Sequence, residues 1–216
     1  MPPATAFSAE SRSFLRRPPI SALPPLGPGA KSSLVAKALT LGSDAIHPAI
    51  ERLAAAIARR HPAPSKLILL GIANGGIELA RRLARRLQTA HVGTVDISFH
   101  RDDIGRNPIP KEFAPTCIPQ DVHGATVILV DDVLFSGRTV KAALNELFDH
   151  GRPAKVELAV LVDRGCRRLP VAADYTGLQL DAGANEKVVV HLDPDRPARD
   201  AITVTARPTA TDSSRP

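Results

Sequence analysis

The 216-residue sequence has few cysteines and no long apolar run, and both shortages narrow the class of protein. Cys117 and Cys166 are far apart, and no metal-ligand spacing surrounds them, which argues against a disulfide framework and a zinc site. No segment approaches the ~18 consecutive apolar residues that cross a bilayer, and the N-terminus has no apolar signal-peptide core. These features favour a soluble protein in a reducing cytoplasm, with no membrane partner.

A strong excess of basic charge is also missing from the part of the chain that we expect to fold. The whole chain carries a formal net charge of +6, yet residues 41–193 contain 19 basic and 18 acidic side chains. Most of the excess lies within residues 1–40. A basic whole-chain pI is therefore weak evidence for nucleic-acid binding by the folded part.

Three stretches of different composition divide the chain. Residues 1–40 are rich in proline and lack apolar periodicity, which predicts a disordered extension. Because this stretch contains Arg and Ser but only the acid Glu10, an organellar transit peptide is the alternative interpretation. Residues 41–193 form the predicted single domain, and residues 194–216, rich in Pro, Thr and Asp, predict a loosely ordered tail.

Apolar runs and helical patterns alternate through the predicted domain. The patterns predict helices over about 46–60, 76–88 and 139–149, and strands over about 66–70, 92–99, 127–130 and 156–162. This order predicts an α/β fold, with a mainly parallel sheet and helices on both faces. Ligands of such sheets bind where loops leave the carboxyl ends of the strands. The helical period places four arginines of the second helix on its outer face: Arg81, Arg82, Arg85 and Arg86.

The segment Val127–Thr139 carries the clearest chemistry. Asp131 and Asp132 directly follow an apolar strand, and a turn with small and hydroxyl-bearing residues then opens a helix. Gly137 allows close backbone approach, and the first N–H groups of a helix point towards a bound anion, so the turn suits a phosphate. Sugar hydroxyls and a magnesium ion would suit the two carboxylates. The alternative for each piece alone is a solvated strand end followed by an ordinary helix cap, and the spacing of a Walker loop is absent.

These thirteen residues resemble the motif of type I phosphoribosyltransferases that binds 5-phosphoribosyl 1-pyrophosphate (PRPP). More narrowly, the stretch from about Leu67 to Leu192 is similar to the PyrR family, pyrimidine-operon regulators that are also uracil phosphoribosyltransferases. The supporting segments are Val95–Asp103, Gly151–Pro153, Leu158–Gly165, Leu169–Pro170, Ala173–Tyr175 and Glu186–Val188. The resemblance implies the type I phosphoribosyltransferase fold with a small mobile hood, which we expect over Arg101 to Gly124.

The resemblance also implies roles for individual residues. Asp131 and Asp132 would hold the ribose hydroxyls, Ser136 to Thr139 the 5-phosphate, and Arg101 the pyrophosphate. The alternative for Arg101 is a surface pair with Asp102 or Asp103. The implied catalytic residues are Asp131, Asp132 and Arg101, and the implied PRPP-binding residues are Asp131, Asp132, Val133, Leu134, Phe135, Ser136, Gly137, Arg138 and Thr139. Mg²⁺ would arrive with PRPP, and no separate metal ligands are assigned.

Two neighbouring sites depart from the family pattern. The implied pyrophosphate loop is Ala73, Asn74, Gly75 and Gly76, in which Asn74-Gly75 replaces the Thr-Arg of the family. A tight strand-to-helix turn explains the same glycines equally well. The implied base-binding residues are Arg164, Asp174, Tyr175 and Val188, each with a turn, cap or core role as its alternative. Leu180-Asp181-Ala182 replaces the Ile-Pro-Thr segment of the family, which makes the base less certain than PRPP.

Residues that bind RNA in the family are largely replaced. Glu51, Cys166 and Ala172 stand at positions usually held by Thr, His and Arg, and Ala55 replaces a His. Only Arg52 and Arg167 are kept. Because phosphate contacts dominate RNA affinity, we expect specific RNA binding to be impaired or absent, although Arg59, Arg60, Arg167 and Arg168 would permit a different basic surface.

Three functions remain open from the sequence. The first is a uracil phosphoribosyltransferase of PyrR type, which makes UMP and pyrophosphate from uracil and PRPP. The second is a purine-base phosphoribosyltransferase, suggested by the Asn74–Gly76 loop. The third is a non-catalytic PRPP or nucleotide sensor that acts on transcription. Family members associate, so the resemblance also implies a homodimer or homotetramer.

Overall fold

Five apolar segments form one parallel sheet in the computed structural model. The structure describes residues 39–62, 67–89, 91–98, 115–183 and 185–206. All of them belong to one compact unit, Ala36–Pro216. Residues 1–38, Arg101, most of the predicted hood and the last ten residues lie outside the described residues. Leu39 and Thr40, the last two residues of the predicted disordered extension, lie in a strand.

The elements follow in the order expected of an α/β protein. They are β1 (Leu39–Gly42), α1 (Ser43–Arg60), β2 (Leu67–Ile72), α2 (Gly76–Leu87), β3 (Val92–Val95), β4 (Thr126–Leu134), α3 (Arg138–Asp149), β5 (Lys155–Asp163), β6 (Tyr175–Gln179), β7 (Glu186–His191) and β8 (Ala201–Ala206). The sequence predicted α1, α2, α3 and four of these strands, β2 to β5, with boundaries that differ by a few residues. Strand β4 continues past its predicted end, whereas β3 ends before its predicted end. The sequence did not predict β1, β6, β7 or β8.

The strand order of the main sheet is β3-β2-β4-β5-β6, and every pair is parallel. All six residues of β2 are buried, as expected for a strand covered on both faces. The chain moves from β2 to one side and then crosses back to β4 on the other. The order therefore reverses between β2 and β4, and ligands of open α/β sheets bind at the carboxyl ends of such strands.

Helices cover both faces of this sheet. Ile50, Leu53 and Ile57 of α1 and Leu79 and Leu83 of α2 pack on one face, together with Leu69 and Ile128 of the strands. On the other face, Val140, Ala143 and Leu147 of α3 pack against Ile68, Leu129 and Val160. Neighbouring strand residues thus enter opposite cores, which confirms the predicted layers.

A second, antiparallel sheet has the order β1-β8-β7. Its inner face adds Val188, Ile202 and Val204 to the core beneath α1. Residues 194–206 are therefore not the loosely ordered tail that their composition predicted. They hold a 3-10 turn (Pro197–Arg199), the buried Asp200 and the central strand β8, because pairing on both edges satisfies its backbone.

Candidate active site

The two acidic residues lie at the carboxyl end of β4, beside the point where the strand order reverses. Asp131 is 5% exposed and its Oδ1 accepts a hydrogen bond from the Asp132 backbone N–H at 3.0 Å. Burial, followed by repulsion from Asp132, raises the pKa of Asp131 well above its usual value, and burial also raises the pKa of Asp132. Among the described residues, no cation forms an ion pair with either carboxylate. The pair is therefore poised to receive hydroxyl donors or a cation from outside the protein.

The loop Ala73–Gly76 lies directly against this acidic pair. A Cβ at Gly75 would overlap the Asp132 carboxylate, and a Cβ at Gly76 would overlap the Val130 carbonyl oxygen. The Ala73 N–H donates to the Val95 carbonyl at 2.9 Å, which ties the loop to β3. Gly75 is the N-cap residue of α2, and no side chain caps this helix. The structure thus brings the predicted pyrophosphate loop together with Asp131 and Asp132.

The turn from Phe135 to Gly137 joins β4 to α3 on the other side of the acidic pair. Gly137 has φ of 88°, a left-handed conformation that glycine adopts without strain. The Ser136 Oγ accepts a long hydrogen bond from the Arg138 N–H, at 3.4 Å. The N-cap residue Gly137 has no side chain to cap α3, and the first turn of the helix contains no acidic residue. The positive end of the helix dipole therefore has no carboxylate of its own first turn to neutralise it.

These three features form one linear arrangement. Two helix N-termini, those of α2 and α3, flank the buried Asp131 carboxylate and the half-buried Asp132 carboxylate at one edge of the sheet. Helix N-termini favour anions, whereas carboxylates accept hydrogen bonds from hydroxyls. The arrangement can hold a molecule with anionic groups at both ends and hydroxyls between them.

A cavity of about 240 Å³ lies at the carboxyl ends of β5 and β6. Asp163 at the end of β5 pairs in register with Leu134 at the end of β4. The cavity therefore lies next to the turn that was predicted to bind the 5-phosphate. Arg164 is the one predicted base-binding residue that lines it; the other lining residues are Asp163, Gly165, Gln179, Leu180 and Asp181. The Arg164 guanidinium is itself occupied, because it donates to the carbonyls of Gly183 and Glu186 at 2.9 and 3.0 Å and stacks over the Phe135 ring at 4.1 Å.

Asp174 and Tyr175, which were predicted to bind the base, lie away from this cavity. They are at the amino end of β6, whereas the cavity is at its carboxyl end. The Tyr175 hydroxyl donates to buried Glu157 at 2.6 Å, and Asp174 accepts from the Leu158 N–H at 3.0 Å. Burial opposes ionisation of Glu157, but hydrogen bonds from Lys155, Tyr175 and His61 outweigh it and lower its pKa to about 2. These residues form a structural polar cluster.

Val188 is also a core residue in this structure. It is 8% exposed, lies on the inner face of β7 and pairs in register with Val204. The lining residues to which sequence reasoning gave no role at the base site are Asp163, Gly165 and Gln179, whereas Leu180 and Asp181 were linked to the base through the Ile-Pro-Thr segment of the family. Recognition of β6 would have found Gln179, because residues at the carboxyl end of a parallel strand lie at the ligand edge.

Metal ligands do not cluster within the part of the chain that the structure describes. No group of three or more His, Cys, Asp or Glu residues there is arranged to hold a metal ion. Magnesium, however, usually keeps one or two protein carboxylates and takes its other ligands from phosphates and water. Asp131 and Asp132 fit that donor set.

Comparison with known proteins identifies relatives of this chain. The Phosphoribosyl transferase domain family matches residues 42–195. The Bifunctional protein PyrR of Streptomyces coelicolor is 46% identical over 167 residues, which cover 74% of this chain and 86% of the relative. The PyrR proteins of Corynebacterium glutamicum and Bacillus subtilis are 45% and 43% identical, over 80% and 73% of this chain and 94% and 91% of theirs.

Solved structures agree on the fold. A hypoxanthine phosphoribosyltransferase of Staphylococcus aureus has a TM-score of 0.57 at 17% identity and covers 80% of this chain and 93% of its own. That of Trypanosoma cruzi has a TM-score of 0.56 at 20% identity, with 77% and 95% covered. The type I phosphoribosyltransferase fold predicted from the sequence is confirmed. The chain belongs to the phosphoribosyl transferase domain family and, within it, to the PyrR family.

Proposed function

We propose that this protein transfers a phosphoribosyl group from PRPP to uracil and releases UMP and pyrophosphate. The observation that carries the proposal is the pair of adjacent carboxylates, buried Asp131 and half-buried Asp132, between the N-termini of α2 and α3. PRPP has a phosphate at one end, a pyrophosphate at the other and ribose hydroxyls between them. The turn at Ser136–Thr139 would hold the 5-phosphate, the Ala73–Gly76 loop the pyrophosphate, and the two carboxylates the hydroxyls.

Catalysis in this arrangement rests on positioning and charge rather than on a protein nucleophile. The base nitrogen displaces pyrophosphate from C1 through an oxocarbenium-like state. Asp131 and Asp132 would hold the ribose still and supply negative charge beside it. Bound magnesium would neutralise charge on the departing pyrophosphate, with Asp131 or Asp132 among its ligands.

The relatives favour uracil over a purine as the base. The three PyrR proteins named above are 43–46% identical in sequence to this chain over the aligned residues. The two purine-enzyme structures are 17–20% identical and support the fold alone. The base would enter the cavity lined by Arg164, Leu180 and Asp181, next to the phosphate-binding turn. There, Asp181 replaces the proline of the family.

A base panel tests the proposal. Pyrophosphate release from PRPP and Mg²⁺ is measured with uracil, guanine, hypoxanthine and no base. We expect release with uracil alone. Release only with a purine would replace uracil as the substrate, and PRPP binding without release would favour a non-catalytic sensor.

We also propose that the protein does not bind a pyrimidine-operon leader RNA specifically. Two positions of α1 that bind RNA in the family make contacts within the fold here. Arg52 donates to the Gly177 carbonyl at 3.0 Å, and Glu51 pairs with Arg86 at 2.6 Å. Glu51 adds negative charge where a phosphate would approach. Filter binding to the leader transcript should give only weak, sequence-independent retention. Tight, salt-sensitive and sequence-specific binding would contradict this.

We propose a homodimer or homotetramer in the cytoplasm as the working form. The exposed, unpaired thiols of Cys117 and Cys166 suit a reducing compartment. No helix in the described ranges is long and apolar enough to cross a membrane. Light scattering coupled to size-exclusion chromatography measures the assembly; a monomer at micromolar concentration would contradict it.

A further inference from the structure

The loop after β5, residues 163–171, grips the turn that precedes α3. The Arg164 N–H donates to the Leu134 carbonyl at 3.2 Å. The N–H groups of Arg168 and Leu169 both donate to the Ser136 carbonyl, at 3.1 and 3.0 Å. One loop thus holds backbone carbonyls of the turn from one side.

Arg167 completes this grip with its side chain. Its Nη1 donates to the carbonyls of Leu134 and Phe135 at 3.1 and 2.9 Å. Its Nε donates to the Val171 carbonyl at 3.2 Å, and its Nη2 pairs with the Asp163 carboxylate at 2.6 Å. All three nitrogens of the guanidinium are therefore occupied by the protein, and the side chain is 23% exposed.

Holding these carbonyls fixes the direction of the N–H groups that follow them. In a planar trans peptide, the carbonyl of one residue and the N–H of the next point in opposite directions. With the carbonyls of Phe135 and Ser136 turned towards the loop, the N–H groups of Ser136 and Gly137 point away from it. Successive N–H groups that point the same way form a concave site for an anion.

We propose that Arg167 is a positioning residue for the 5-phosphate turn. This inference rests on the proposed function, in which that turn binds the 5-phosphate of PRPP. Arg167 acts through the backbone of the turn and does not touch the phosphate. Its charge is paired with Asp163 at 2.6 Å, so the geometry of the guanidinium matters more than its positive charge. This role accounts for Arg167 without an RNA ligand.

A lysine at position 167 cannot take over this role. Its three donors radiate from a single nitrogen, whereas the guanidinium spreads its donors over a planar fork. One ammonium cannot reach the Leu134, Phe135 and Val171 carbonyls and the Asp163 carboxylate together. Arg167→Lys therefore keeps the charge and loses the grip, and Arg167→Met loses both.

Calorimetric titration with ribose 5-phosphate and with pyrophosphate, each with Mg²⁺, tests this role in the full chain. We expect both variants to bind ribose 5-phosphate about tenfold more weakly than the wild type, while pyrophosphate affinity changes by less than about twofold. The KM for PRPP should rise by a similar factor. Arg85→Lys, an exposed arginine on α2, is the matched control and should leave every value unchanged.

The outcomes separate the inference from the function on which it rests. Wild-type affinity for ribose 5-phosphate in Arg167→Lys would overturn the positioning role. Equal weakening of both ligands together with a lowered unfolding temperature would show a merely structural role and would also overturn it. If Arg167→Met does not fold, the lysine variant decides. If the wild type binds pyrophosphate but not ribose 5-phosphate, the assignment of the turn fails, and this inference fails with it.

Discussion

Asp131 lowers the stability of the folded protein, because its carboxylate is buried next to the carboxylate of Asp132. Its pKa lies above the usual 3.8, so the folded state holds the proton more tightly than the unfolded state does. Stability from this group is therefore present at low pH and decreases as the pH rises above 3.8 towards the folded-state pKa.

Asp131→Asn should accordingly raise the free energy of unfolding of the ligand-free protein at pH 7, by about 1 kcal/mol. The gain should shrink as the pH falls below the raised pKa of Asp131, because the wild-type carboxyl is then protonated in the folded state. Urea unfolding at pH 7 and at pH 5 measures it. A variant that is less stable than the wild type at pH 7 would contradict the conclusion that burial of the charged Asp131 carboxylate lowers stability.

Gly75 and Gly76 should respond differently to the same small change. In Gly76→Ala the new methyl group would overlap the Val130 carbonyl, which is fixed in β4, so both stability and activity should fall. In Gly75→Ala it would overlap the Asp132 carboxylate, which can rotate away. The second variant should fold with near wild-type stability and bind PRPP about tenfold more weakly.

Thermal unfolding and PRPP titration of the two alanine variants form a matched pair. Equal loss of stability in both would show that Asp132 is fixed as rigidly as the strand backbone. Unchanged PRPP affinity in Gly75→Ala would mean that the Asp132 position does not matter for the ligand.

Helix α2 and the segment before β8 are joined by a buried ion pair. Arg82 donates to both oxygens of Asp200, to the Asp193 carbonyl at 2.7 Å and to Glu78 at 2.9 Å. Burial would raise the pKa of Asp200, but the hydrogen bonds from Arg82 and the Asp193 N–H lower it overall. Stability from this carboxylate is thus present above pH 3.8 and is lost as the pH falls through the lowered pKa.

Loss of either partner removes the main ion pair of the other, which is buried. Arg82 would keep its contacts with Glu78 and the Asp193 carbonyl, and Asp200 would keep those with His47 at 3.1 Å and the Asp193 N–H at 2.9 Å. Arg82→Met or Asp200→Ala should lower the free energy of unfolding by about 3 kcal/mol at pH 7, and Arg82→Met/Asp200→Leu should recover part of that loss. Denaturant unfolding of the single and double variants gives the coupling energy. Strictly additive losses would show that the two side chains do not stabilise each other.

The same ion pair shows where sequence reasoning ended. Helical periodicity predicted Arg82 on the outer face of α2, yet the residue is 4% exposed because it pairs with Asp200 inside the fold. Asp200 lies 118 residues further along the chain, so a local pattern could not reveal the pair. Strands β2, β4 and β5 were predicted because each is a continuous apolar run. Strand β6 was missed because it is short, contains Gly177 and ends in polar residues, and β8 was missed because prolines surround it. Local patterns contain no record of these pairings.

In the candidate site, too, the residues of contiguous segments were predicted more successfully than the scattered ones. Asp131, Asp132, the turn to Thr139 and the Ala73–Gly76 loop are contiguous segments next to predicted strands, and the structure brings them together. The predicted base-binding residues were scattered, and only Arg164 lines the cavity. Asp174 lies away from the cavity because it precedes β6, whose carboxyl end lines the cavity, and the sequence pattern did not reveal this strand.

At the scale of the whole molecule, the chain order explains where the site forms. The sheet order reverses between β2 and β4, so the loops after these two strands diverge and leave a crevice at their carboxyl ends. Both loops lead into helices, and their N-termini face the acidic pair from either side. In the proposed mode of binding, this PyrR-family phosphoribosyltransferase would therefore contact the phosphates of PRPP mainly through backbone groups.

The central claim is that PRPP binds at the acidic pair of β4. Calorimetric titration of PRPP with Mg²⁺ into the wild type and into Asp131→Asn/Asp132→Asn tests it most directly, with circular dichroism to verify folding. We expect a single PRPP site in the wild type and no measurable PRPP binding in the folded double variant. Retained PRPP affinity in that variant would show that the ligand binds elsewhere.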